Sequence, residues 1–331
     1  MELFDTEKDM LETPQIIRDF DWNSTKEIAR KCKNKTTFIT GLGSSYMFPV
    51  CNARRRALRY GVSNVITGWS TDLMDVKDFS GSVVLIASFS GRTKEAVLLA
   101  RHAKSSGARI VGVTAVMDSF LAKESDDIIK LNCDHERGVA ATKSAVETAL
   151  VFDSFVSNMA DIKIGNRLPK LADCFESNLN MGVDNKVAKS VAGANRVILA
   201  GSDFGVGNEL SLKVQEATAI KSQFLPGNLL IHGYEETVSA DDVVLIIDSP
   251  AMRRDLSDYY RKLPKTGCTT FLLTSEKPEY FPAISFQSQD GFAGYCQLSA
   301  GWGLLRHAAR AKGVDMDHPK RAVKVGNPLR E

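Results

Sequence analysis

The chain has 331 residues, 44% of them hydrophobic and 25% charged, with 42 basic side chains set against 40 acidic ones. A net charge of +2 supplies no electrostatic footprint for nucleic acid or for an anionic membrane surface. The length suits two domains of ordinary size, each large enough to bury its own core.

The opening stretch MELFDTEKDMLETPQ has no basic segment followed by an apolar one, and apolar runs such as VVLII fall far short of a bilayer span. The expectation is a cytoplasmic protein without a membrane partner. A β-branched run from Thr36 to Thr40 ends in GLGSSY at 41, and the run from Val83 to Ala87 ends in SFSGRT at 88. In KEAVLLARHAKSSG, which follows, apolar residues recur every three or four positions, as in a helix, and Ile110 to Val113 reads as the next strand. Near-continuous apolar strands separated by helices predict an α/β, doubly wound parallel sheet covered on both faces. The six cysteines, Cys32, Cys51, Cys133, Cys174, Cys268 and Cys296, contain no CxxC pair, so they read as buried thiols rather than a disulfide framework or zinc site.

The second half repeats the first at a fixed offset. VVLIASFSGRTKEAVLLARHAKSSGARIVGVT from Val83 aligns without gaps on VVLIIDSPAMRRDLSDYYRKLPKTGCTTFLLT from Val243, and Gly41 of TTFITGLGSSYMF falls on Gly201 of NRVILAGSDFGVG at the same spacing of 160. The expected organisation is two copies of one unit, residues 1–165 and 166–331, divided where IGNRLPK breaks the pattern.

Ligands of such sheets sit beyond the carboxyl ends of strands, where GLGSSY and SFSGRT both fall. Ser88, Ser90 and Thr93 offer hydroxyls, Gly91 admits close backbone approach, and a helix start supplies N–H groups, which together suit a phosphate. Helix capping is the plain alternative for Ser and Thr. Two observations favour an anion: Arg92 and Lys94 lie where the helix dipole disfavours cations, and the second copy replaces the hydroxyl cluster with Asp248, Ser249, Pro250 and Ala251. There is no GxxxxGK[ST], and GLGSSY lacks the third glycine of GxGxxG, so a monophosphate suits the turn better than a nucleotide.

Five segments in order, GLGSSY at 41, SFSGRT at 88, GVAATKS at 138, NELSLKVQE at 208 with HG at 232, and DMDHPKRAVKVGN at 315, resemble the sugar isomerase (SIS) family in its tandem form. The likeness is to the isomerase domain of glucosamine-6-phosphate synthases and to glucosamine-6-phosphate deaminases. It implies two tandem SIS domains, the second with a catalytic helix and the terminal segment. It further implies that Ser45, Ser88, Ser90 and Thr93 hold a sugar phosphate, while Ser44 and the segment Val139 to Thr142, with Ala141, line the sugar. By the same resemblance Glu209, Lys213 and Glu216 form the catalytic helix face. His232 reaches the neighbouring subunit's site, which implies at least a homodimer, and Lys324 closes over the substrate.

In physical terms, Glu209, Lys213 and Glu216 lie at i, i+4 and i+7 on one helix face, where a solvated salt-bridge stripe is the ordinary reading. An aldose–ketose conversion needs a carboxylate base between C1 and C2, and Glu216 is the candidate. Ring opening needs an acid near neutrality, for which His232 is placed. His102, His135, His307 and His318 have no motif around them and are expected at the surface. The chemistry is proton transfer, so no metal or other cofactor is expected. Two positions depart from the family: HGYEE stands where HGP is usual, and Phe89 replaces the polar residue between the phosphate serines. No segment matches the glutaminase domain of the synthases.

Three functions remain open from the sequence. The first is a deaminase/isomerase converting glucosamine 6-phosphate to fructose 6-phosphate and ammonia. The second is a deglycase splitting a fructosamine 6-phosphate, and the third is a phosphosugar-binding module without turnover.

Overall fold

The computed structural model describes residues 2–201, 205–249 and 252–330. Pro250 and Ala251 of the second-copy turn lie outside the described residues.

The chain divides into two compact units, and neither is a single continuous segment. One, here the first unit, comprises Gln15–Glu136, Ala141–Pro169 and Val323–Glu331. The second comprises Met1–Pro14, Arg137–Ala140 and Lys170–Ala322. The main break falls close to the 165/166 division expected from the repeat, but the two ends of the chain each join the other half's body.

The first unit holds a wholly parallel five-stranded sheet of β1 (Thr37–Thr40), β2 (Val65–Thr67), β3 (Val83–Ala87), β4 (Arg109–Thr114) and β5 (Asp127–Lys130), in the order β2-β1-β3-β4-β5. All five residues of β3 are buried because both faces of the sheet are covered. Val83, Leu85 and Ala87 pack with Val50, Ala53, Phe152 and Phe155 on one side, while Val84 and Ile86 pack with Val97, Ala100 and Leu121 on the other. Each such aliphatic side chain contributes about 1.5–3 kcal/mol by leaving water. The helix Lys143–Met159 is buried at every residue but Asn158, its polar side chains such as Glu147 and Asp153 included.

The second unit repeats this plan with β6 (Arg196–Gly201), β7 (Lys221–Pro226), β8 (Asp242–Ile247), β9 (Thr269–Thr274) and β10 (Ala283–Ser285), ordered β10-β9-β8-β6-β7. The register repeats as well: Thr37 lies beside Val83 and Val83 beside Arg109, as Val197 lies beside Val243 and Val243 beside Thr269. The edge strands do not keep this spacing, since Val65 pairs with Thr37 but Ser222 with Val197. Among the described residues no helix is long and apolar enough to cross a membrane. The cysteines are all free, with Cys51 and Cys268 half-buried and the other four buried.

Candidate functional site

In the first unit, β1 and β3 end side by side and deliver the two expected turns. Ser44 and Ser45 lie in a 3-10 turn, Gly43–Ser45, that leads into the helix Met47–Tyr60. Ser88 is 2% exposed, and its hydroxyl meets that of Thr93 at 2.9 Å. Thr93 occupies the N-cap position of the helix Lys94–Ser105, yet its side chain caps no helical N–H. Helix capping therefore does not explain this pair of hydroxyls. Ser90 is used locally, accepting the N–H of Arg92 at 3.2 Å. The backbone N–H groups of Ser90 and Thr93 have no protein partner among the described residues. Gly91 is required twice over: its φ is +60°, and a Cβ there would come 2.0 Å from Ser119 Oγ. The Ser88 and Thr93 hydroxyls and the N–H groups of Ser90 and Thr93 thus lie in one turn at a helix start.

Phe89 does not contribute a polar contact to this turn. Its ring packs partly on the core and lines a cavity of about 310 Å³ with Ala115, Leu131, Cys133, Lys130 and His135. Its carbonyl accepts Thr114 Oγ1 and the N–H of Ala115, each at 3.0 Å, which fixes the backbone between the two serines.

The corresponding turn of the second unit is occupied by its own charges. Asp248, at the Ser88 position, is 5% exposed and accepts Thr274 Oγ1 at 2.5 Å and Arg253 Nε at 3.2 Å. Arg253 stands at the Thr93 position. A carboxylate and a guanidinium have taken the places of the two hydroxyls.

Also in the second unit, the helix Val206–Thr218 carries Glu209, Lys213 and Glu216. These do not form a solvated stripe. Glu209 is fully buried, Lys213 is 1% exposed, and the ammonium lies 3.1 Å from Glu209 Oε1 and 2.6 Å from Glu216 Oε2. Burial alone would pull the Lys213 ammonium down, but the two carboxylates and their hydrogen bonds outweigh it and hold the group well above its ordinary value. Glu216 is the more open carboxylate, with 24% of its side chain exposed.

His232 follows a 3-10 turn, Leu229–Ile231, and is exposed; its side chain has no hydrogen bond or ion pair among the described residues. Gly233 after it has φ +103°, and its N–H is taken by Glu235 Oε2. Of the other histidines, His135, His307 and His318 are exposed as expected, but His102 is half-buried, its ring edge-on to Phe79 and Nε2 2.8 Å from the Val76 carbonyl.

Val139 and Ala141 are both half-buried and fall in different units. In the second unit, the fully buried Asp9 accepts the N–H groups of Arg137 and Gly138 at 2.7 and 3.0 Å, fixing the backbone just before Val139. Gly138 must be glycine here, because a Cβ would lie 2.3 Å from Thr6 Oγ1. In the first unit, Ala141 precedes Thr142, whose N–H is accepted by Glu136 Oε1 at 2.6 Å, as is that of Ser144 at 3.1 Å.

Glu136 was not singled out by sequence reasoning, and it is the residue that receives Lys324. It is 1% exposed, and its second oxygen takes Lys324 Nζ at 2.7 Å. Burial alone would raise this carboxyl, but Lys324 and the two N–H groups outweigh it and hold it below its usual value. The available signal was a lone acid next to GVAATKS, two residues before its glycine. Asp9 offered no signal at all. Among the described residues no three His, Cys, Asp or Glu side chains gather as metal ligands would.

Comparison with known proteins bears on this arrangement. The isomerizing glutamine–fructose-6-phosphate aminotransferase of Sulfurisphaera tokodaii is 23% identical over 334 residues, covering 96% of this chain and 55% of that protein. The second such enzyme of Mus musculus is 24% identical over 323 residues, covering 90% and 46%. The chain thus spans about half the length of these curated relatives. The C-terminal domain of glucosamine-fructose-6-phosphate aminotransferase from Francisella tularensis shares the fold with a TM-score of 0.82 at 19% identity, covering 94% of this chain and 97% of that one. Glucosamine-6-phosphate deaminase from Thermotoga maritima shares it with a TM-score of 0.75 at 18% identity, covering 97% and 98%. The SIS domain family model matches residues 31–158, the segment that carries both hydroxyl-rich turns and most of the first sheet's helices, and that segment is a SIS domain.

Proposed function

We propose that the chain is a phosphosugar isomerase/deaminase that converts glucosamine 6-phosphate to fructose 6-phosphate and ammonia. The observation that carries this reading is the hydroxyl pair of buried Ser88 and half-buried Thr93, which lies at a helix start without capping it. In the proposed chemistry Glu216 removes the proton from C2 of the open-chain sugar and returns it to C1, turning the aldosamine into a fructosimine. Water adds at C2, and ammonia leaves. Lys213 holds Glu216 from 2.6 Å away and keeps that carboxylate and Glu209 on one face. His232, exposed and uncommitted, would act on the ring oxygen in the site of a second subunit of a homodimer. The repeated strand order and register support a second, diverged SIS unit in residues 166–331. A cytoplasmic enzyme without metal or other cofactor completes the proposal.

One observation favours a second reading. The cavity of about 310 Å³ beside Phe89, with Lys130 and His135 on its rim, gives space for a substituent larger than ammonia. A fructosamine 6-phosphate would use the same base in the opposite sense, moving a proton from C1 to C2, and hydrolysis would release an amino acid and glucose 6-phosphate. Product analysis separates the two, since ammonia with fructose 6-phosphate marks the first and free amino acid with glucose 6-phosphate the second. Glu216→Gln is expected to bind phosphosugar and lose turnover. A wild type that binds phosphosugars and turns over none of either class would leave the binding-module reading in place.

A further inference from the structure

The stretch after the last helix, Ala293–Lys312, contains Pro319 and Pro328 and forms no regular element, yet within the first unit it is fastened at two points. At one, Lys324 pairs with Glu136. At the other, its backbone runs antiparallel to the end of SFSGRT. The N–H of Lys94 donates to the Asn327 carbonyl at 3.0 Å, that of Leu329 donates to the Arg92 carbonyl at 2.8 Å, and Thr93 faces Pro328. Pro328 has no N–H to donate, and this bridge asks none of it. Asn327 Nδ2 also donates to Glu95 Oε1 at 2.7 Å, and Leu329 packs on the cluster containing Val84, Ile86 and Val97.

From this geometry we infer that Glu95 and Asn327 are positioning residues: they clasp the strap to the phosphate turn, so that anion binding at Ser88 and Thr93 and the placement of Lys324 form one coupled equilibrium. The inference rests on reading the turn as a phosphate cradle. Thr93, whose hydroxyl meets Ser88, lies between Arg92 and Lys94, whose backbones hold the strap. Val325 and Gly326 alone separate Lys324 from Asn327. A lysine on an unfastened strap would lose backbone and rotamer freedom in forming its partly exposed ion pair with Glu136. The clasp fixes the backbone beforehand, so less freedom is lost in placing the ammonium. By linkage, whatever the phosphate gains from an ordered strap, the strap gains from the phosphate.

Amide hydrogen exchange of the full chain with and without inorganic phosphate tests the coupling, and steady-state turnover of glucosamine 6-phosphate tests the positioning. Phosphate is expected to slow exchange across both the 88–95 turn and the 323–330 strap in the wild type, and across neither in Thr93→Val. Asn327→Ala and Glu95→Ala should each lower kcat/KM about five- to tenfold, the effect of roughly one lost hydrogen bond. The double variant should be no worse than either single one. Glu95→Gln, which keeps the acceptor oxygen, should retain wild-type kcat/KM, an outcome that general destabilisation would not produce. Protection of the turn without protection of the strap would overturn the coupling alone. Absence of protection at the turn would overturn the phosphate cradle and the coupling with it. Additive losses in the double variant would overturn the clasp.

Discussion

Removing both hydroxyls of the Ser88–Thr93 pair separates phosphate binding from helix capping. In the double variant Ser88→Ala and Thr93→Val, both partners of the 2.9 Å bond become apolar groups of similar shape, an exchange that is close to neutral for folding. Thr93 already has extended backbone, φ −61° and ψ 118°, which a β-branched valine accepts. Its hydroxyl caps no helical N–H, so the usual loss of about 1 kcal/mol on removing a cap is not expected. A hydrogen bond from a hydroxyl to a charged phosphate contributes about 1.5–3 kcal/mol, and the loss of two weakens binding at least ~100-fold. Ser119→Ala is the contrasting variant. Ser119 does cap its helix, accepting the N–H of Ala122 at 3.3 Å, so its removal should cost about 1 kcal/mol of stability and leave affinity unchanged. Calorimetric titration with glucosamine 6-phosphate and with glucosamine, alongside thermal melting, measures both quantities. A double variant that binds the phosphosugar within about threefold of wild type but melts as a cap-deleted protein would refute the reasoning.

Three further outcomes follow from the same geometry. Lys213→Met removes the ammonium 3.1 Å from the fully buried Glu209, and breaking a buried pair typically costs about 3–5 kcal/mol, or roughly 10 °C in melting temperature for a unit of this size. A melting temperature within a few degrees of wild type would mean that Glu209 is stabilised by other means. If His232 acts across a homodimer interface, randomly mixed Glu216→Gln and His232→Asn subunits should recover about a quarter of wild-type activity, because half the dimers then carry one intact site. Mixtures that stay inactive would place His232 in its own subunit's site. The Glu136 carboxyl lies below its ordinary value of 4.5, so its pairing with Lys324 stabilises the strap above that pH and is lost as pH falls through the folded value. Proteolysis of the strap should therefore quicken on acidification, and Lys324→Met should abolish that pH dependence.

Much of the fold was legible because the repeat fixes it twice. Val83 and Val243 each begin a buried central strand, and the same neighbours flank both, so a constant spacing in sequence became a constant register in space. The edge strands drift because they are joined through connections of different length, to which the sheet imposes no common register. The units' actual composition was not legible. That the helix Asp5–Asp19 begins in the second unit depends on Asp317 accepting the N–H groups of Asp5 and Thr6, and on Glu7 pairing with Arg306 and Arg310. Those contacts join residues about 300 positions apart, with no periodicity to announce them. The spacing of Glu209, Lys213 and Glu216 likewise showed that they share a face, but could not show whether that face meets solvent or core.

The comparison between copies sharpens what the basic residues at SFSGRT are for. Both turns follow the same strand in the same register, yet in the second a carboxylate, Asp248, sits where Ser88 sits, and Arg253 where Thr93 sits. That turn is neutralised from within, and its buried carboxylate would repel a phosphate. In the first turn a hydroxyl stands at the Asp248 position, the Glu95 carboxylate is engaged by Asn327, and Arg92 and Lys94 are both exposed, with their backbones holding the strap. Their side chains therefore add positive potential at a helix start that already favours an anion, and among the described residues neither makes an ion pair. On the proposed function a bound phosphate would offset this dipole placement, whereas in the second unit the Asp248 carboxylate lies beside Arg253 within the protein itself. On the proposed function the hydroxyl pair of the first unit would suit an exchangeable anion, and the second unit's buried carboxylate with its own arginine would oppose one.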